Sequence, residues 1–308
     1  FKGQIYFAPN RIHWNIGDFM KILRDKKAIA IFLLPAFIVY SIIVMIPILV
    51  SIYYSALEWN GIGKKTFVGL SNYVKLLGDE VFRQAFWNNI IYIIIVMVLQ
   101  LGFGFIIAVL LTYLKKGRGF IQTVYYIPSV ITVIAISQLF TGFYSYEPLG
   151  LFNIFRKLLG MEPIAFLSEY KTVLPAVASV EGWQYIGIYM IIFYSALVSV
   201  SPDILEAARI DGASELQILV KIRIPAIANV IMLSCILSLV GALRGFAAPM
   251  NMTKGGPNHR SEILATYMYK KAFTSRDYGY GSAIAVVIVI LSILGVLLIS
   301  KYMDSEKE

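Results

Sequence analysis

The sequence predicts an all-α integral membrane protein with six transmembrane helices. Three observations carry that prediction. The 308-residue chain is 58% hydrophobic, and its mean hydropathy is +0.74, beyond what a soluble domain tolerates. Six long runs are almost free of charge. The charged stretches are short and fall between those runs. Backbone groups in lipid need internal partners, so helices are the expected spanning form, and the long alternation of a β-barrel is absent.

The apolar runs cover 28–57, 84–114, 119–146, 172–200, 226–248 and 278–300. Glu181 in the fourth and Arg244 in the fifth are their charged residues. At about 1.5 Å per residue, each run crosses a hydrocarbon core of about 30 Å. Residues 1–27 precede them as an N-terminal arm. There Ile16, Phe19, Met20 and Leu23 recur at helical spacing, which predicts an interfacial amphipathic helix; for residues 1–12 a tail is an equal alternative. Residues 28–303 form the transmembrane domain, with a polar loop at 201–225, and 304–308 form a tail. The first apolar run is too long for a signal peptide.

Charge sets the orientation. Counted over all loops, Lys and Arg divide almost evenly between the two sides. Lys21, Arg24, Lys26 and Lys27 precede the first span, however, and Lys115, Lys116 and Arg118 fill a very short loop. Such flanks carry most of the positive-inside effect, so both termini are expected in the cytoplasm. The net charge of +9 then reflects membrane-flanking cations that meet lipid rather than nucleic acid. Cys235 is the single cysteine, which excludes an intrachain disulfide and a cysteine metal site. His13 and His259 fall on opposite predicted sides, so a histidine pair is not expected to bind metal. No phosphate-binding loop is present, since Gly63-Lys64-Lys65-Thr66 lacks the spacing. No Ser/His/Asp constellation can be placed. Catalysis is therefore not expected in this chain.

The loop at 201–225 is the most informative stretch. It contains EAARIDGASELQILVKIRIP. Ser201 is an expected N-cap, Pro202 suits the first helical position, and Asp203 suits the positive helix end. Ala207 and Ala208 give a short helix whose small side chains let another surface approach. Asp211-Gly212 reads as a stop, with Gly212 free to turn left-handed. A second helical segment follows from Ser214, and Pro225 is expected to end it.

The spacing of Glu206, Ala207, Ala208, Asp211, Gly212 and Pro225 resembles the cytoplasmic EAA loop of permease subunits of binding-protein-dependent ABC importers. Leu219 stands where that family usually has an aromatic, and Asn229 where a second proline is frequent. Further phrases resemble the sugar-type (MalF-like) permeases: FVGLSNYVKLL after the first span, YYIP at 125–128, MTKGGPNHR after the fifth and DYGYGSA at 277–283. The resemblance covers most of 28–303. It implies that the EAA loop receives the push of an ATPase subunit. It implies as partners a second permease subunit, two ATPase subunits that bind ATP and Mg, an extracytoplasmic solute-binding protein and a saccharide. It implies residence in the bacterial cytoplasmic (inner) membrane.

Polar groups at membrane depth mark pathways. Glu181, Trp183, Gln184, Tyr185 and Tyr189 cluster in the fourth run; rings suit sugar faces and amides suit hydroxyls. The plainer alternative is interfacial aromatics and helix–helix hydrogen bonds. In the fifth run, Ser238, Gly241, Ala242 and Gly245 fall where the resemblance places sugar contacts, and Arg244 lies among them. Small residues there suit either close helix packing or a wide passage. The expected cargo is an oligosaccharide, neutral or acidic such as a uronate oligomer, moved by alternating access. The competing reading is a stand-alone secondary carrier or channel.

Overall fold

The computed structural model describes residues 26–304, with side chains described for 30–302. The expected interfacial helix through Ile16 and Leu23 and the residues 305–308 lie outside the described residues. The chain divides into two compact units, Phe1–Tyr53 and Tyr54–Glu308.

The first unit consists, as described, of helix Lys26–Tyr40, which passes through a π-turn at Ser41–Met45 into helix Ile46–Ser55, whose last two residues belong to the second unit. We call its membrane span, Ala30–Ser55, α1. Ile31, Phe32, Phe37 and Leu49 stand exposed along it, as on a helix whose surroundings are lipid.

The second unit opens with a two-residue hairpin, β1 (Leu57–Glu58) against β2 (Thr66–Phe67), in antiparallel register. Helix α2 (Ser71–Gly78) follows, then the 34-residue span α3 (Glu80–Tyr113). Asp79 starts α3 by accepting the amides of Val81 at 2.9 Å and Phe82 at 3.2 Å, which meets two donors that a helix start leaves open.

Runs three and four depart from the single helices expected of them. The third is α4 (Arg118–Val130) and α5 (Val133–Phe143), bent by 99°. The fourth is α7 (Val173–Gln184) and α8 (Ile186–Ser199), bent by 45°, with α6 (Leu151–Leu158) on the connection before it. At the first break Ile131 and Thr132 are extended, and Thr132 recaps the chain through the Ala135 amide. The break frees carbonyls, which lipid cannot satisfy. Gln184 does so: its Nε2 donates to Ile131 O at 2.9 Å and Pro128 O at 3.4 Å. The two breaks interlock, because a Cβ on Gly187 would lie 2.0 Å from Tyr125 O. A side chain there would force the helices apart.

Helix α9 (Pro202–Ile210) and α10 (Glu215–Ile218) lead through a π-turn at Leu219–Arg223 and a turn at Ile224–Ala226 into α11 (Ala228–Leu243). After α11 come α12 (Ala247–Met252), α13 (Leu264–Tyr269) and the last span α14 (Tyr278–Asp304). Counting each bent pair as one, six spans result among the described residues. One buried cluster joins α3, α7 and α11 through Tyr92, Val96, Val177, Ala178 and Ala242. A second joins α3 and α8 through Ala108, Leu111, Met190 and Phe193.

Candidate functional site

A cavity of about 410 Å³ opens between α3, α7, α8 and α11. That volume lies within the roughly 300–1,000 Å³ of small-molecule sites. Of the residues read from sequence, Glu181, Tyr185, Tyr189, Gly241, Arg244 and Gly245 line it. Glu181 lies on α7 and Tyr189 on α8, on either side of the bend at Tyr185, while Gly241 lies in the last turn of α11 and Arg244 and Gly245 follow its end.

The other expected residues lie elsewhere. Trp183 is about 200° around the helix from Glu181, and its ring rests 5.1 Å from that of Phe140. Gln184 is buried and occupied at the α4–α5 break. Ala242 is buried in the helix core. Ser238 is buried behind the wall, where it donates to Gln100 Oε1 at 2.7 Å. The small residues of α11 also divide. A Cβ on Gly241 would meet no atom within 4 Å, so that glycine adjoins open space. A Cβ on Gly245 would come within 3.0 Å of Glu181 Oε2 and of the Tyr92 ring, so that glycine permits close packing.

Gln100, Val133, Ile188, Phe246 and Ala247 complete the lining. Gln100 carried a signal, since it is an amide inside an uncharged run. The apolar four carried none.

Glu181 is the central group. Tyr92 Oη donates to its Oε2 at 2.5 Å, and Gln100 Nε2 donates to its backbone oxygen at 3.3 Å. No ion pair reaches it among the described residues. Arg244 stands exposed on the same cavity. Among the described residues, no group of three His, Cys, Asp or Glu is placed to hold a metal.

The polar loop is built locally. Pro202 occupies the start of α9 with Asp203 in its first turn, but the Ser201 side chain makes no cap bond. Helix α9 ends in a Schellman closure: Gly212 N donates to Arg209 O at 3.1 Å and Ala213 N to Ala208 O at 2.9 Å. Gly212 takes φ +82° there, where a β-branched residue is a genuine outlier. Ser214 and Gln217 form a capping box that starts α10. Pro225 does not end the second segment; it sits inside the turn Ile224–Ala226, and the direction changes at Ile227. Glu206, Ala207, Asp211 and Gly212 are exposed, and Ala208 is half-buried.

This loop is tied to the end of α3. Arg223 is buried and donates to Thr112 Oγ1 at 3.0 Å. Glu215 accepts from Tyr113 Oη at 3.2 Å and pairs with Arg209 at 2.8 Å. The hydrogen bond from Arg209, opposed by slight burial, holds the Glu215 carboxyl below its ordinary value.

The loop resembling T-x-G-G-P sits at the opposite end. Buried Glu262 accepts from His259 Nδ1 at 3.0 Å and from Lys270 Nζ at 2.5 Å. Asn88 Nδ2 holds the backbone oxygens of His259 and Glu262 at 3.0 and 2.9 Å. At this end too, Tyr267 and Tyr280 each donate to Asp79 Oδ2 at 2.5 Å. Burial alone would raise the Asp79 carboxyl, but these hydroxyls and the amides of Phe82 and Val81 hold it below its ordinary value.

Comparison with known proteins places these features in a family. Residues 100–305 match the family described as binding-protein-dependent transport system inner membrane component. A probable ABC transporter permease protein of Bacillus subtilis (strain 168), YurN, is 35% identical over 283 residues, 90% of this chain and 96% of the relative. The alpha-glucoside transport system permease protein AglF of Rhizobium meliloti (strain 1021) is 32% identical over 269 residues, 85% of this chain and 78% of the relative. The crystal structure of a bacterial ABC transporter involved in the import of the acidic polysaccharide alginate shares the fold. Its TM-score is 0.79 at 22% identity, covering 95% of this chain and 100% of that one. A stand-alone carrier is thereby set aside: the chain belongs to the inner membrane components of binding-protein-dependent transport systems, the non-catalytic, multi-pass permease subunits of ABC importers, whose ATP is bound by a partner ATPase.

Proposed function

We propose that this subunit passes a saccharide from its binding protein to the cytoplasm by alternating access, driven through α9. The reading rests on one observation. The exposed helix α9 follows α8 directly and leads through α10 into α11, and α8 and α11 both line the cavity. A displacement of α9 would thus be delivered to two walls of the cavity. Arg223 and Glu215 would carry it to α3 as well.

The saccharide follows from the relatives. AglF is an alpha-glucoside permease protein, and the structural neighbour belongs to an alginate importer. In this reading both termini are cytoplasmic, and α9 seats Glu206, Ala207, Ala208, Asp211 and Gly212 in a cleft of one of two ATPase subunits. A second permease subunit supplies the rest of the passage, and the ATPases shift the populations of two membrane-domain states by binding them differently.

Gly212→Val and Glu206→Lys, each in the assembled, reconstituted transporter, test the coupling role. Saccharide uptake should fall by roughly tenfold or more, in line with coupling energies of about 1–3 kcal/mol. ATP hydrolysis should also stop responding to loaded binding protein. Unchanged uptake and unchanged stimulation in both variants would remove α9 from the coupling path.

A further inference from the structure

Outside the cavity described above, five rings follow one another in a row. Trp59 lies 5.4 Å from Tyr278, Tyr278 5.9 Å from Phe273, Phe273 5.1 Å from Tyr269, and Tyr269 5.1 Å from Phe246, centroid to centroid. They come from separate parts of the chain: the hairpin loop, the start of α14, the π-turn after α13, the last residue of α13, and the link between α11 and α12. Both ends of the row open into space. Phe246 lines the cavity between α3, α7, α8 and α11. Trp59 lines a second cavity of about 510 Å³ at the end carrying the hairpin, whose wall includes Asn60, Thr66, Ser275 and Asp277. The outer two rings are fixed. Lys65 Nζ sits 4.4 Å over Trp59, and Tyr278 packs on Gly61, where a Cβ would lie 2.5 Å from its ring. The next two are open, with Phe273 57% and Tyr269 37% exposed.

We infer that these rings form a stacking track along which an oligosaccharide passes from the outer cavity to the inner one, with Phe273 and Tyr269 as its contact residues. This rests on the saccharide reading above and adds a second site to it. A pyranose presents a face of C–H groups that packs on an aromatic ring, while its hydroxyls stay in water or reach polar groups at the ring's edge. Such packing has little directional demand, so a sugar chain can move from one ring to the next. The steps of 5.1 to 5.9 Å are comparable to one sugar residue. The plainer alternative is a belt of interfacial aromatics. A belt lies at one depth and faces lipid, whereas this row joins two cavities. The outer cavity is also walled by polar side chains that hydrocarbon would leave unsatisfied. The track carries a signature. A chain long enough to reach from the inner cavity onto Tyr269 and Phe273 gains ring contacts that a disaccharide held inside forgoes.

Initial uptake by the reconstituted permease–ATPase assembly, at limiting loaded binding protein, tests the track. The probes are radiolabelled maltose and maltohexaose, cellobiose and cellohexaose, and the dimer and hexamer of galacturonate. Phe273→Leu and Tyr269→Leu keep apolar bulk and remove the ring. In the series that is taken up, each should lower hexamer uptake by roughly three- to tenfold, the range of one aromatic contact, and leave dimer uptake near the parent's. Phe273→Trp should restore the hexamer. An equal loss at both lengths overturns the inference, because it would place the rings in the docking of a partner protein rather than against cargo. Hexamer uptake unchanged in both leucine variants overturns it too, and the saccharide reading then stands because the parent still transports. A parent confined to dimers likewise overturns the track and leaves that reading in place. A parent that takes up no probe of either length removes the saccharide reading and the track with it.

Discussion

The two ends of the helical unit are joined by opposite means. At the end carrying α9 and α10, the turns are closed by backbone bonds between residues a few positions apart, two side-chain bonds tie the loop to α3, and much apolar surface stays uncovered. Ile210 is 86% exposed and Leu216 is 70% exposed. At the other end, bonds reach across the chain: Asn88 holds the backbone at 259 and 262, and Asp79 gathers hydroxyls from residues 267 and 280. One end is tied together by these long-range bonds, with Glu262 Oε1 and Asn89 Nδ2 left unpartnered in its interior. The other presents a preformed, apolar-edged helix, the one that the proposed function docks on an ATPase subunit. The difference separates an end cross-bonded at long range from one whose helix keeps exposed apolar side chains.

The largest expected effect breaks the cross-bonded end. Glu262 is fully buried between His259 and Lys270. Glu262→Ala should lower stability by roughly 3 kcal/mol, the upper range for hydrogen bonds to a charged group, because it removes both bonds the buried carboxylate accepts. Thermal unfolding of the purified protein in detergent reads this directly. A midpoint equal to the parent's would show that the Asn88 and Tyr–Asp79 bonds suffice without it.

Asp79 sharpens the comparison through pH. Its folded carboxyl lies below its ordinary value, and the unfolded value is about 3.9. The sign follows: the stabilisation is fully present above about pH 4 and fades as pH falls through the lower folded value. Asp79→Asn should therefore cost roughly 1–3 kcal/mol near neutral pH, the range for hydrogen bonds to a charged group. The gap between variant and parent should close below about pH 4. A gap that stays constant across that window would assign the loss to packing rather than charge.

These contrasts track what the sequence makes legible. The span positions follow from uncharged runs, because lipid burial is a property of composition. The closures around Gly212 and the capping box at Ser214 are local, so residue order alone indicates them. The breaks at Ile131 and Tyr185 are not local. The first is stabilised because Gln184 and Gly187 approach it from the fourth run, and no pattern within residues 119–146 contains that information. The cavity was half legible for the same reason. Glu181, Tyr185 and Tyr189 recur at four-residue steps in the sequence, and they stay together in the cavity although the helix bends at Tyr185. That Ser238 spends its hydroxyl on Gln100, 138 residues away, becomes visible once the helices are packed. Ser201 shows the limit of propensity: its residue type suits a cap, but its side chain makes none.

The smallest expected effect lies at the uncovered end. Arg209 and Glu215 pair at 2.8 Å across the turn at Gly212, with both side chains nearly half exposed. Water and salt screen such a pair, and ordering two long side chains offsets much of the attraction. Helix α9 also ends in its backbone closure whether or not Arg209 is present. Arg209→Ala should therefore leave the unfolding midpoint unchanged within error, at low and at high salt alike. A clear loss at low salt that disappears at high salt would mean that the pair holds α9 against α10. Glu215, through Tyr113 on α3, would then be part of the framework, and the division between the two ends would be less sharp than the burial of their side chains implies.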